Sequence, residues 1–251
     1  MRNEQLFPKN AARKMVDLHM HVVPGVDDGS YHLDMSETLL VMAHMQGVRT
    51  VFATPHSFAF SYDPERVRRQ FEALRDRMSS APFDLRLCLG CEVRCEPDSM
   101  EQTLLRLDRG IYPTLNGTPY VLTEFRSSVR PEQAVRMVEQ LTRHGWRPVI
   151  AHTERYPALF ARSDTIDQIL SSGSLLQINA YSLDDEPDST VVARSRKLLS
   201  DGKVSFLGSD AHRLDHRPPS VRHGLAYLYA HCTPAEADAV SFRNAERLLL
   251  G

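Results

Sequence analysis

Imidazoles and carboxylates recur through this 251-residue sequence at positions where they could converge on metal ions. His19-Met20-His21 lies in the apolar run MVDLHMHVV, and the two-residue period of a strand puts both rings on one face. Alone, such a pair is more often two surface or core histidines than a metal site. The segment Gly208-Ser209-Asp210-Ala211-His212 repeats the relation with an aspartate and a histidine. His56 follows Thr54-Pro55 and His152 follows Ala151. Glu92 and Glu124 each close an apolar run, where an unpaired carboxylate is costly to bury. A satisfied core histidine explains any one of these positions. It does not explain ionisable groups at the ends of most strands, so the set points to a metal cluster. The ligands are imidazole and carboxylate without thiolate, which suits manganese, iron or zinc in a catalytic, water-bearing site. Val26-Asp27-Asp28-Gly29 offers another carboxylate, although such a sequence alone is more often a tight turn or a helix cap.

Those positions need a scaffold, and the sequence supplies one. Apolar runs at 15–23, 48–54, 83–93, 118–125, 146–152, 173–180 and 203–210 read as strands, each followed by a turn or polar signal. Amphipathic helices lie between them. Asp34 and Glu37 suggest a capping box before SETLLVMAHMQ, with Gly47 as its C-cap. Pro64 and Pro131 suit the first turns of two more, and further helices are expected over 158–171, 188–201 and 234–250. Seven strands alternating with helices imply an α/β protein with a parallel sheet, closed or doubly wound. In such folds function gathers at the C-terminal strand ends, where His19, His21, His56, Glu92, Glu124, His152, Asp210 and His212 are expected. Residues 1–14 read as a flexible N-terminal extension, and 15–251 as one domain.

A formal charge of −2 gives no support to bulk nucleic-acid or membrane attraction. Residues 1–14 lack the apolar stretch of a secretory signal, so the expected address is cytoplasmic. Cys88, Cys91 and Cys95 straddle Glu92, and Cys232 is distant, which favours incidental thiols over a thiolate site. The sequence contains no GxxxxGK[ST], GxGxxG or GxSxG; Cys88 and Arg94 do have the C-x5-R spacing, but Cys88 lies inside the apolar run 83–93 that reads as a strand. P-loop NTPases, Rossmann dehydrogenases and α/β-hydrolases are therefore poorly supported. Arg155 in HTERYP and Arg217 in HRLDHRPP stand beside expected ligands. A guanidinium there could hold phosphoryl oxygens in a bidentate fork, whereas the ordinary fate of a single arginine is a surface ion pair.

The segments DLHMHVVPGVDDG, ATPHS, LGCEV, LTEF, IAHTERYP and GSDAHRLDHRPP, in this order, resemble the polymerase-and-histidinol-phosphatase (PHP) superfamily. Within it they are most similar to the bacterial capsule and exopolysaccharide tyrosine-protein phosphatases, from about Met15 to the C-terminus. The resemblance implies a distorted (βα)7 TIM-like barrel with three divalent metals, usually manganese. It implies one metal on His19, His21, Glu92 and Asp210, and a second bridged by Glu92 and completed by Glu124 and His152. Asp28, His56 and His212 would hold the third, and Arg155 with Arg217 would grip the phosphate. The implied substrate is phosphotyrosine on a bacterial tyrosine autokinase that drives polysaccharide synthesis; the residues themselves argue only for phosphomonoester hydrolysis by metal-activated water. The rival within the fold is a histidinol-phosphate or other small phosphomonoester phosphatase. A nuclease is disfavoured by the charge balance, and a regulatory module that has lost catalysis is disfavoured by the full ligand set.

Overall fold

The computed structural model describes residues 14–184 and 189–250. Most of the expected 1–14 extension therefore lies outside the described residues. The elements run β1 (Met15–Met20), α1 (Leu33–Met45), β2 (Val48–Ala53), α2 (Ser57–Tyr62), α3 (Pro64–Ser79), β3 (Arg86–Leu89), β4 (Glu92–Cys95) and α4 (Met100–Asp108). They continue as β5 (Tyr120–Phe125), α5 (Pro131–Arg143), β6 (Arg147–Ile150), α6 (Thr165–Ser171), β7 (Leu175–Asn179), α7 (Thr190–Ser200), β8 (Phe206–Gly208), α8 (Arg222–His231), α9 (Pro234–Asp238) and α10 (Asn244–Glu246). The alternation is that of an α/β protein, and every strand pair is parallel.

One sheet has the order β1-β2-β3 and the other β4-β5-β6-β7-β8. The expected single strand over 83–93 is thus two short strands broken at Gly90-Cys91. β3 pairs with β2 and β4 pairs with β5, so the chain changes partners at the break. The break leaves Glu92 as the first residue of β4 rather than at a C-terminal strand end. Gly90 N donates to Ala53 O (2.9 Å) and Glu92 N to Pro55 O (3.1 Å), which holds the broken segment along the tail of β2. At the opposite edges, Asp210 N donates to His19 O and His21 N to Ala211 O, both at 2.8 Å. A core cluster gathers Leu18, Phe52, Leu122, Val149 and Phe206 from both sheets, with Ala245 and Leu248 of the C-terminal segment. A larger cluster joins the strands to the helices.

Local chemistry explains where the helices depart from expectation. The N-cap of α1 is His32, whose Nδ1 accepts from Met35 N, while Asp34 and Glu37 pair with Arg77 of α3. A tertiary partner for both carboxylates displaces the expected capping box. Asp63 caps α3 by accepting from Arg66 N, and Pro64 and Pro131 open α3 and α5 as expected. The 158–171 region divides into a 3₁₀ turn at Pro157–Phe160 and α6, and 234–250 divides into α9, a π segment and α10. Among the described residues no helix is long and apolar enough to cross a membrane.

Candidate metal centre

The strand ends bring all nine expected ligands to one place, at or beside a cavity of about 490 Å³. Its lining includes Asp28, His56, Glu92, Glu124, His152, Asp210 and His212, with Arg155 and Arg217 on its wall. His19 and His21 lie fully buried beneath, their Nε2 atoms 3.0 Å apart. Glu92 stands between four imidazoles. Its Oε1 lies 2.9 Å from His152 Nε2 and 3.4 Å from His19 Nε2, and its Oε2 lies 2.9 Å from His56 Nδ1 and 3.3 Å from His21 Nε2. The side chains form overlapping groups whose possible ligand atoms lie within 4.8 Å of one another. These are His19, His21 and Asp210; His19, Glu92 and His152; His56, Glu92 and Glu124; and His21, Asp28, His56 and His212. Glu124 and His152 fall in separate groups on either side of Glu92.

The backbone around these groups is unusual. Among the described residues only Asn116, His152, Asp210 and Arg217 have positive φ without being glycine, at 54°, 32°, 51° and 57°. Left-handed backbone is unfavourable for ordinary L-residues and persists where the surroundings over-determine it. Three of the four belong to this cluster.

The donor set fits divalent cations. Burial opposes ionisation of Glu92 and Asp210, yet the surrounding imidazoles hold both carboxyls below their ordinary range. Burial likewise opposes protonation of His21, but the hydrogen bond and charge of Asp27, with Glu92 beyond, push it up to about 10. Burial and the charge of His21, stacked on it with ring centroids 4.0 Å apart, pull His212 down to about 4. The protons on His21 and His56 balance carboxylates that a cation could balance instead. His152 Nδ1 is buried without a hydrogen-bonding partner among the described residues, and Glu92 Oε2 meets His56 and His21 outside hydrogen-bonding geometry, which leaves coordination capacity to spare.

Both arginines reach the centre through one carboxylate. Asp210 Oδ1 faces His19 and His21 Nε2, each at 3.6 Å, whereas Oδ2 accepts from Arg155 Nη1 (3.0 Å) and Arg217 Nη1 (2.7 Å). Cys88, Cys91 and Cys95 are buried, and burial raises all three thiols, so the expectation of incidental thiols agrees with their surroundings.

Several supporting residues escaped the sequence reading. Asp27 Oδ2 accepts from His21 Nδ1 (2.9 Å) and His56 N (3.1 Å), orienting one ring and one backbone segment. Nothing in VDDG distinguishes this carboxylate from Asp28, whose Oδ1 faces His56 Nε2 at 3.4 Å. Arg94 donates twice to Glu124 Oε1, at 3.1 and 3.0 Å, and Tyr156 OH accepts from Phe125 N. Gln177 and Asn179 of β7 reach the floor of the site with amides, which carry no sequence signal of chemistry.

The turn bearing Asp27 and Asp28 folds tightly onto β1: Ser30 N donates to His21 O at 3.1 Å. A Cβ at Gly29 would collide with that same carbonyl oxygen, so the turn tolerates no side chain there. Gly29→Ala is expected to displace both aspartates and lower kcat/KM about 10- to 100-fold, the range for disturbing ligand supports. Wild-type kinetics in a folded Gly29→Ala protein would show that the turn does not position the site.

Residues 15–250 match the family described as capsular polysaccharide synthesis, CpsB/CapC. The chain is 32% identical over 243 residues to the tyrosine-protein phosphatase CpsB of Streptococcus pneumoniae, covering 94% of this chain and 98% of that protein. It is 30% identical over 241 residues to the tyrosine-protein phosphatase YwqE of Bacillus subtilis, covering 94% and 91%. Crystallographic work on YwqE from Bacillus subtilis and CpsB from Streptococcus pneumoniae describes them as metal-dependent tyrosine phosphatases. One of its structures aligns with TM-score 0.83 at 29% identity over 94% of both chains. A variant organophosphorus hydrolase from Deinococcus radiodurans shares the fold alone, with TM-score 0.53 at 14% identity over 93% of this chain and 92% of that one.

Proposed function

The chain belongs to the CpsB/CapC family of capsular polysaccharide synthesis, and from that premise we propose that it is a metal-dependent tyrosine-protein phosphatase. The observation that carries this reading is the buried imidazole–carboxylate cluster with two guanidinium groups facing the same cavity. We read the nine ligands as holding three divalent ions, manganese by preference, with iron or zinc compatible with the same donors. His19, His21, Glu92 and Asp210 would hold one, Glu92 with Glu124 and His152 the second, and Asp28, His56 and His212 the third. The hydrogen bonds between β1 and the segment after β8, and the core cluster drawn from both sheets, support reading the two sheets as one distorted seven-stranded barrel. In that count β3 and β4 are a single broken strand, and residues 15–251 are one catalytic unit. We take the substrate to be a phosphotyrosine-bearing bacterial kinase of polysaccharide synthesis, met in the cytoplasm; the relatives' names support phosphotyrosine on protein, and the family's description supports the link to capsular polysaccharide.

Divalent ions in this cradle would supply Lewis acidity toward phosphoryl oxygens and lower the pKa of water. The chain's own groups do the rest. Asp210 divides its two oxygens between the ligand cluster and the arginines, so the phosphate-binding wall and the metal floor share one rigid group. Arg155 and Arg217 turn their donors into the cavity, where a phosphoryl group would exchange for part of their contact with Asp210. The ester P–O bond breaks as water supplies the new oxygen, and the tyrosine leaves as its phenol. Buried neutral thiols rule out a phosphocysteine route at Cys88, Cys91 or Cys95.

The discriminating experiment offers the holoenzyme a phosphotyrosyl peptide, histidinol phosphate and a 3′-labelled oligonucleotide. The peptide is expected to be preferred; faster turnover of histidinol phosphate would move the assignment to a small-molecule phosphatase of the same fold. The arginines provide a second check. Arg155→Ala or Arg217→Ala is expected to lower kcat/KM by about two to three orders of magnitude, the loss typical of one preorganised donor to a charged transition state. Lysine should rescue poorly, because a point charge cannot reproduce the fork. Near-normal kinetics in Arg217→Lys would reduce that residue to general electrostatics.

A further inference from the structure

β7 contributes no ionisable group to the site, yet its two amides are fully buried beneath it. Gln177 Oε1 accepts from the backbone N–H of His152 at 2.7 Å and faces His19 Nδ1 at 3.4 Å. Gln177 Nε2 donates to Asn179 Oδ1 at 2.9 Å. Asn179 Nδ2 then donates to Asp210 Oδ2 (3.1 Å) and to Tyr181 OH (3.0 Å). Both ends of this chain are chemically unambiguous. A backbone N–H can only donate and an ionised carboxylate can only accept, so every amide between them has one permitted orientation.

We propose that Gln177 and Asn179 form a positioning relay that fixes the His19 tautomer, with the proton on Nδ1 and the Nε2 lone pair turned to the metal cluster. The inference rests on the metal-centre reading above and extends it to residues outside the ligand set. An oxygen locked as an acceptor at Gln177 Oε1 can be satisfied by His19 only through Nδ1–H. That leaves Nε2, which lies 3.4 Å from Glu92 Oε1 and 3.6 Å from Asp210 Oδ1, as an electron-pair donor. His21 Nδ1 is held instead by a carboxylate, Asp27, whereas His19 Nδ1 meets an amide that adds no charge to the floor of the site. The relay also clamps the left-handed backbone of His152 and the carboxylate of Asp210, so three ligands on three strand ends share one support. Gly208 closes the arrangement. A Cβ there would lie 2.8 Å from His19 Cβ and 2.9 Å from Gln177 Nε2, so only glycine lets both side chains pack against the strand as they do.

The test reads the ring directly, without any phosphatase assay. Two-bond proton–nitrogen correlations are recorded on the His19 ring in 15N-labelled, metal-free full chain, at a pH raised until the ring carries a single proton, assigned by difference with His19→Gln. The wild type should show Nδ1–H alone. Gln177→Glu, which keeps the acceptor, should keep that tautomer. Gln177→Met, close in volume but without an acceptor, should give a mixture and weaken Mn²⁺ or Zn²⁺ binding by chelator competition about 10- to 100-fold. An Nε2–H tautomer in the wild type, or an unchanged tautomer and affinity in Gln177→Met, overturns the relay. Should Gln177→Met fail to fold, the wild-type and Gln177→Glu spectra still decide the matter. In Gln177→Glu, an Nε2–H ring counts against it. A correct tautomer with no metal binding in any form would instead sink the metal-centre reading and leave the relay standing.

Discussion

Stripping the protein with EDTA is expected to bring phosphotyrosyl-peptide hydrolysis to background, a loss of at least about four orders of magnitude. Enzymes of this kind supply rate enhancements of about 10⁶-fold or more, and here little would remain without the ions. Mn²⁺ should restore activity best, as the family resemblance implies; the imidazole and carboxylate donors accept iron or zinc as well. Thiol alkylation should matter far less, since Cys88, Cys91 and Cys95 are buried and protonated. The pH dependence has a definite sign. In the metal-free protein Asp27 and Glu92 outweigh burial and hold His21 up to about 10, so an ion entering the site must displace a proton there. Apparent metal affinity should therefore weaken as the pH falls, most simply seen as a rising Mn²⁺ requirement for half-maximal activity. Full turnover in protein shown by elemental analysis to be metal-free would falsify the assignment.

Glu92→Ala should be as damaging by a different route. Its two oxygens face four imidazoles on separate sides of the cluster, so no neighbouring group can substitute for it. Turnover is expected to fall by about four orders of magnitude or more, as when a unit acting in concert loses an essential member. Bound metal per protein should drop with it. The fold should survive, because Glu92 anchors the site rather than the apolar clusters. The adjacent Cys91→Ser change makes the control. A buried hydroxyl in place of a thiol costs about 1–3 kcal/mol of stability if unpaired, but kcat/KM should stay within about twofold. The reverse pattern, with Cys91→Ser inactive and Glu92→Ala active, would mean that this segment has been read the wrong way round.

All the ligands but Asp28 were legible in the sequence as ionisable residues in or just after apolar runs, a placement that burial energetics penalises without a purpose; Asp28 came only from the family resemblance. The period of a strand was enough to pair His19 with His21, and their Nε2 atoms do meet at 3.0 Å. The alternation of runs and helices was enough to give a parallel α/β architecture. What the tertiary structure decided was everything that depends on partners distant in the chain. Gly90-Cys91 looked like the middle of a strand, and only the competition between β2 and β5 for hydrogen bonds breaks it and sets Glu92 at the junction. Asp34 and Glu37 looked like helix caps until Arg77, on another helix, claimed them. Asp27 and Asp28 are indistinguishable as neighbours, yet one faces back to His21 and the other faces His56. Gln177 and Asn179 carry no charge, so no pattern of ionisable groups could have singled them out. Their role comes from the direction of a hydrogen-bond chain, and direction is fixed only when its two ends, His152 N and Asp210, are brought together in space.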